Sequence, residues 1–187
     1  RGNHKPNMNT ENYYVKVIDR NIYFSGEIDE LSTLHIQTAL IELISNDTYL
    51  NNKEPINFYI NSWGGSVVCS LGIVDIIQSS KTPVYTFNNG VCSSGGFLLL
   101  IAGHKRFGRK NTSYLIHQIQ TASFYTDYTR MDQDLEYTKK LQEKLNNLIF
   151  KKTKITRSFL NNIIKTKTDY YLFSEEALSL GIIDEII

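Results

Sequence analysis

Two stretches of the chain run from a short apolar strand through a glycine-rich turn into an apolar helix, and any fold must accommodate both. In the first, residues 56–61 read as a strand that ends in Ser62-Trp63-Gly64-Gly65-Ser66, and residues 67–78 follow with helical apolar spacing. In the second, residues 84–87 read as a short buried strand, Asn88-Asn89-Gly90 as the turn, and residues 97–102 as a buried helix. With strands predicted at 13–18 and 21–24 and a helix at 31–44, the plan is that of an α/β chain of stacked strand–helix units. Further strand is predicted at 106–107 and 113–117, a short helix at 159–164, and the longest periodic helix at 128–152. Between strand and helix of the second unit stand Cys92-Ser93-Ser94-Gly95-Gly96. A hydroxyl there lies beside backbone N–H groups at the positive end of a helix dipole, which can stabilise an oxyanion. On its own, a serine at such a place is more often an ordinary N-cap.

Composition narrows the partners. A chain of 187 residues is long enough for one domain with a real core, and a net charge of +1 with no basic block argues against a nucleic-acid groove. The densest cluster, Lys151-Lys152-Thr153-Lys154, reads as the charged end of a helix. Cys69 and Cys92 both fall where apolar elements begin, which suggests reduced thiols. The longest apolar run, residues 97–102, is far too short to span a bilayer, and no metal-ligand spacing appears. Residues 1–12 are polar, lack the apolar core of a signal peptide, and are expected to have no fixed structure.

Four histidines make the general-base question tractable. His4 lies in the polar tail, His104 in a Gly-His-Lys turn, and His35 on the amphipathic segment 34–44. His117 alone ends an apolar strand, after Tyr114-Leu115-Ile116. Downstream, Asp169 precedes Tyr170-Tyr171-Leu172-Phe173 and then Ser174-Glu175-Glu176-Ala177.

In this combination the chain resembles ClpP, the proteolytic subunit family of the Clp proteases. The family's YINSPGG, its GxAASMGA nucleophile turn, its MIHQ histidine and its Asp before an F-x-S-x-x-E-A segment all have counterparts, in that order, over residues 20–187. The resemblance implies a ClpP/crotonase-like α/β spiral with a protruding handle helix, the handle falling at about 118–152 of a single domain at 13–187. Placing Phe97-Leu98-Leu99 on the family's run after SMGA makes Ser93 the nucleophile and sets Ser94 in the place of methionine. His117 then matches the general base and Asp169 the acid that orients it, with Asp184 as the rival carboxylate in a structural turn. The backbone N–H groups of Gly65 and Ser94 match the oxyanion hole. Trp63, Gly64, Gln118 and Ile119 flank the expected substrate strand. Cys92 matches a small residue, so a packed, inert thiol is expected.

The function so implied is serine-type endopeptidase activity on peptides and unfolded proteins inside a ring chamber. The partners implied are other copies in heptameric rings stacked as a tetradecamer, and an AAA+ unfoldase. No metal or organic cofactor, nucleic acid or membrane is called for, and the compartment would be cytoplasm, or stroma or matrix in a eukaryote. Two other readings stay open: a catalytically silent subunit of a mixed ring, and an acyl-CoA enzyme of the crotonase type, which shares the paired N–H groups but needs no such triad. The chain departs from the pattern at Trp63, where proline is usual, and after Gln118, where Ile119-Gln120-Thr121-Ala122-Ser123-Phe124-Tyr125 replaces a Pro-Gly stretch.

Overall fold

The computed structural model describes residues 12–120 and 128–187. The expectations for residues 1–11, and for Thr121 to Tyr125 of the segment after Gln118, lie outside the described residues.

β1 (Tyr13–Ile18) and β2 (Asn21–Ile28) form an antiparallel hairpin, closed at Asp19, whose φ is 52°. Parallel pairing then extends the sheet through β3 (Ile56–Gly65), β4 (Val84–Ser93), β5 (Lys105–Gly108) and β8 (Glu185–Ile186). α1 (Glu30–Leu50), α2 (Val67–Ser79) and α3 (Gly95–Ala102) pack against one another, α1 also against β1 and β2 and α3 against β3 and β4. Strand alternation sends Ile22, Phe24, Phe58 and Ile60 into the core at 2 % exposure or less. The other face of the same strands carries a ladder of stacked rings, Tyr23, Tyr59, Phe87 and Phe107, with centroids 4.5–4.8 Å apart.

The Asn88-Asn89-Gly90 turn predicted from sequence is not a turn. β4 runs through it to Ser93, and the asparagines serve a change of partner: residues 85–88 pair with β5, residues 91–93 with β6 (Ser113–Ile116). The exchange leaves backbone groups unpaired, and side chains satisfy them. Buried Asn88 donates from Nδ2 to Ser113 O at 2.9 Å and accepts the Gly90 N–H at 3.1 Å. Asn61 on β3 accepts the Val91 N–H at 3.2 Å. A polar pair that reads as punctuation in sequence is thus the joint at which the sheet forks.

α1 also outruns its predicted end at residue 44. Asp29 and Ser32 form its capping box. Its polar last turns persist because Asp47, at 3 % exposure, takes Arg20 in a bidentate pair at 2.6 and 2.8 Å. Arg20 also donates to Pro55 O at 3.2 Å and to Glu54 O, tying the hairpin to the loop before β3.

α4 (Tyr128–Lys152) coincides with the predicted long helix, but its apolar stripe divides. Leu145 and Ile149 are buried in the core, whereas Met131 and Leu135 stay about half exposed at 49 % and 53 %. Lys152, partly buried at the helix end, donates to Ala102 O at 3.1 Å. α5 (Arg157–Thr166), β7 (Tyr170–Phe173) and α6 (Ser174–Ser179) complete the chain, β7 lying antiparallel to β6. Asp184 is structural, as expected for its turn: it accepts from Arg106 Nε at 3.0 Å and Nη2 at 2.6 Å. Burial pushes the Asp184 carboxyl up, but the hydrogen bonds and charge of Arg106 together outweigh it and leave the carboxyl below its ordinary pKa.

Candidate active site

β3 delivers Ser62-Trp63-Gly64-Gly65 to the C-terminal edge of the sheet. Gly64 and Gly65 have φ of 106° and 146°, a region open to glycine at little cost. Ser62 Oγ fixes this turn, donating to Gly26 O at 2.6 Å and accepting the Gly64 N–H at 3.0 Å. A Cβ on Gly64 would stand 2.8 Å from Ser94 Cβ and 2.9 Å from Gly95 N, so the two glycine-rich turns lie in direct contact.

On the second turn the structure separates the two serines. Ser93 is the last residue of β4, paired with Leu115 of β6. It is 0 % exposed, and its Oγ is buried with no hydrogen-bond partner. Ser94 stands at the strand-to-helix corner with φ 52° and ψ −118°, a conformation costing a non-glycine residue about 1–3 kcal/mol. Its N–H is already donated to Leu115 O at 3.1 Å. That donor is therefore engaged in this conformation, although the resemblance assigns it to an oxyanion hole. α3 makes its first turn with Leu98 N–H bonding to Ser94 O at 3.2 Å. The N–H of Gly95 belongs to the helix start, where no carbonyl four residues earlier can serve it.

β6 and β7 bring in the other two side chains. Their antiparallel ladder ends at the pair Ile116 and Tyr170. His117 follows β6 and Asp169 precedes β7, so the two residues flank the same end of that ladder. His117 is half-buried and its Nδ1 is without a hydrogen-bond partner; that ring nitrogen is the one an orienting carboxylate engages. Asp169 is exposed.

A cavity of about 280 Å³ collects part of this set. Ser94, His117, Gly65, Trp63, Gln118 and Ile119 line it, while Ser93 and Asp169 do not. Gly64 lines an adjoining depression. The cavity's apolar side includes Phe97, Leu98, Leu145, Ile149 and Leu160, so α3, α4 and α5 all contribute to it. Gln142 of that helix accepts the Ile119 N–H at 2.9 Å. The pocket's share of α4 and α5 had no signal in the sequence beyond apolar periodicity. Ser94 did have one, taken up below.

The other sequence candidates are accounted for locally. His35 Nδ1 bonds the Tyr13 hydroxyl at 3.0 Å, and His104 Nδ1 accepts the Val84 N–H at 3.0 Å. Cys92 is fully buried, its thiol near Ile60 O at 3.8 Å, and burial pushes that thiol well above its ordinary pKa. A thiol held protonated is neither nucleophile nor metal ligand. Iodoacetamide at pH 8 is expected to add to Cys69 alone in the folded protein and to both cysteines after unfolding, read by intact mass. Two adducts without unfolding would contradict this packing. Among the described residues no group of three or more His, Cys, Asp or Glu is placed to hold a metal, and no helix is long and apolar enough to cross a membrane.

Comparison with known proteins agrees with this architecture. The family model described as Clp protease matches residues 6–187. An ATP-dependent Clp protease proteolytic subunit 2 of Treponema pallidum (strain Nichols) is 37% identical over 181 residues, 94% of this chain and 86% of that protein. Among solved structures, a mutant of ClpP1 from Listeria monocytogenes superposes with a TM-score of 0.77 at 28% identity, over 90% of this chain and 91% of that one. A forked sheet, a glycine-lined serine corner and a match along almost the full length leave one assignment: the chain belongs to the Clp protease family.

Proposed function

We propose that the protein is a serine endopeptidase in which Ser94, and not Ser93, is the nucleophile. The observation that carries this is the sharing of one cavity by Ser94, His117 and Gly65, with Ser94 in a strained conformation at a strand-to-helix corner. The sequence supports it once the family's GxAASMGA pattern is set on Gly90: its serine then falls on Ser94 without a gap, and its methionine on Gly95.

An extended peptide adds as a strand between Gly64-Gly65 and residues 117–120. His117 takes the Ser94 proton as Oγ attacks the scissile carbonyl. The oxyanion then faces the N–H groups of Gly65 and Gly95, the Ser94 N–H being engaged elsewhere. Protonated His117 next gives its proton to the leaving amine, and water hydrolyses the acyl-enzyme. Asp169 orients the imidazole through Nδ1 once substrate or assembly draws the three together; apo sites are commonly looser than reacting ones. Self-association uses the exposed Met131–Leu135 stripe of α4. The Treponema relative is named an ATP-dependent protease subunit, which supports an ATPase partner that delivers unfolded chains to a ring of these subunits.

The test is labelling of the assembled protein with a fluorophosphonate, followed by peptide mapping. One adduct per chain, on the peptide bearing Ser94, is expected; an assembled ring that takes no adduct would remove the peptidase reading. Gly64→Ala should lose labelling by at least about a hundredfold with far-ultraviolet circular dichroism unchanged. The added Cβ meets Ser94 Cβ at 2.8 Å, and a misplacement of about 1 Å costs that much.

A further inference from the structure

Across Gly64-Gly65 from the catalytic cavity lies a second depression of about 530 Å³, and the two share Trp63 and Gly65 as lining. Its rim brings together Glu27, Trp63, Ser25 and Asn61. The base is firmly built: Asn61 Nδ2 donates to Ser25 Oγ at 3.0 Å, and Asn61 Oδ1 holds the Val91 N–H. Glu27 is an exposed carboxylate, and no lysine, arginine or histidine lines the depression. Trp63 is 68 % exposed, so its indole face is open to a ligand. In the sheet Glu27 stands directly beside Gly64, which in turn abuts Ser94. Glu27 and the serine thus stand on opposite sides of Gly64, so it is a side chain crossing that glycine that would reach the carboxylate.

We propose that this depression is a substrate subsite for a cationic side chain, arginine foremost. The inference rests on the peptidase reading for its occupant, and on the depression itself for its chemistry. A guanidinium pairs with one carboxylate in a bidentate fork and stacks on an indole face, whereas an ammonium does the first poorly and the second less well. The two depressions share Trp63 and Gly65, so a peptide held along Gly64-Gly65 can send a long side chain over Trp63 toward Glu27. The chain thus uses the position where its family usually has proline to add a recognition surface.

Trp63 is the single tryptophan of the chain, so its emission reports occupancy directly. The experiment titrates the Ser94→Ala protein, which does not turn substrate over, with acetylated octapeptides. Each carries one arginine, or its uncharged analogue citrulline, at successive positions. At one register arginine is expected to bind about five- to tenfold more tightly than citrulline, the sum of an exposed ion pair and a cation–π contact. Glu27→Gln should abolish most of that ratio, and salt should diminish it. Equal affinities at every register, no change in emission with any peptide, or a preference that survives Glu27→Gln would each overturn the subsite. Fluorophosphonate labelling of the wild type separates the two claims. Arginine preference without labelling would remove the peptidase and keep the subsite, and labelling without preference would do the reverse.

Discussion

Ser94→Ala is expected to abolish peptide hydrolysis and fluorophosphonate labelling together, lowering kcat by about 10⁴- to 10⁶-fold, while Ser93→Ala leaves both within about twofold of wild type. The contrast follows from where the two hydroxyls sit. Ser93 Oγ is closed off from the cavity and already lacks a hydrogen-bond partner. Replacing a buried, unpaired hydroxyl with hydrogen removes a desolvated polar group, so Ser93→Ala should be neutral or slightly stabilising. Ser94 and His117 line one cavity, and in the proposed mechanism removing Ser94 takes away the atom that forms the acyl-enzyme. The measurement is kcat and KM on a quenched peptide, with adduct mass and thermal midpoint on the same preparations. Activity lost in Ser93→Ala and kept in Ser94→Ala would return the nucleophile to the assignment made from Phe97-Leu98-Leu99. Loss in both, with the fold intact, would mean that the corner works as one rigid unit.

Asp47→Ala should destabilise the folded chain by on the order of 3 kcal/mol. The reason is the asymmetry of a buried ion pair. Asp47 is 3 % exposed and Arg20 only partly so, and each satisfies the other through two hydrogen bonds. Removing the carboxylate strands a guanidinium whose remaining partners are the carbonyls of Glu54 and Pro55. Arg20→Met, which removes the other charge, should cost a comparable amount, and the double variant less than the sum of the two. Hydrogen bonds from Arg20 hold the Asp47 carboxyl below its ordinary pKa, outweighing burial, which acts the other way. A depressed folded-state pKa contributes stability that is present above the unfolded value of about 4 and lost as pH falls through the folded value. Urea midpoints should therefore decline below about pH 4 in the wild type, with a shallower decline in Asp47→Ala. Parallel slopes would show that the acid sensitivity lies elsewhere.

Much of the fold was legible because its elements are locally self-consistent. β1, α4 and the strand–glycine–helix units at Ile56 and Val84 announce themselves by period and by their glycines, and the four ordered motifs lead to the Clp protease family. What misled was local chemistry with a distant purpose. Asn88-Asn89-Gly90 has the composition of a turn, but the Asn88 side chain answers backbone groups of β6 and of β4 itself, and Asn61 of β3 answers Val91. The polar end of α1 has no apolar period to extend it, and what holds it is Arg20, 27 residues away. The serine pair shows the same limit at the site. Anchoring on Phe97-Leu98-Leu99 selects Ser93 and anchoring on Gly90 selects Ser94, and adjacent hydroxyls, alike as letters, do not say which anchor to use.

Sequence by itself determined the α/β plan, the family, and that His117 and Asp169 stand at the ends of strands. Only the tertiary structure decided which serine reaches the cavity. Successive residues of a strand point to opposite faces, so a shift of one carries a hydroxyl from solvent-accessible space into the core. Pairing of Ser93 with Leu115 at the end of β4 sets that phase, and beyond the sharp corner at Ser94 the chain lines the cavity that His117 also lines. Such a phase is fixed by long-range ladder contacts, and the spacing from Gly90 agrees with it only once that glycine is taken as the anchor.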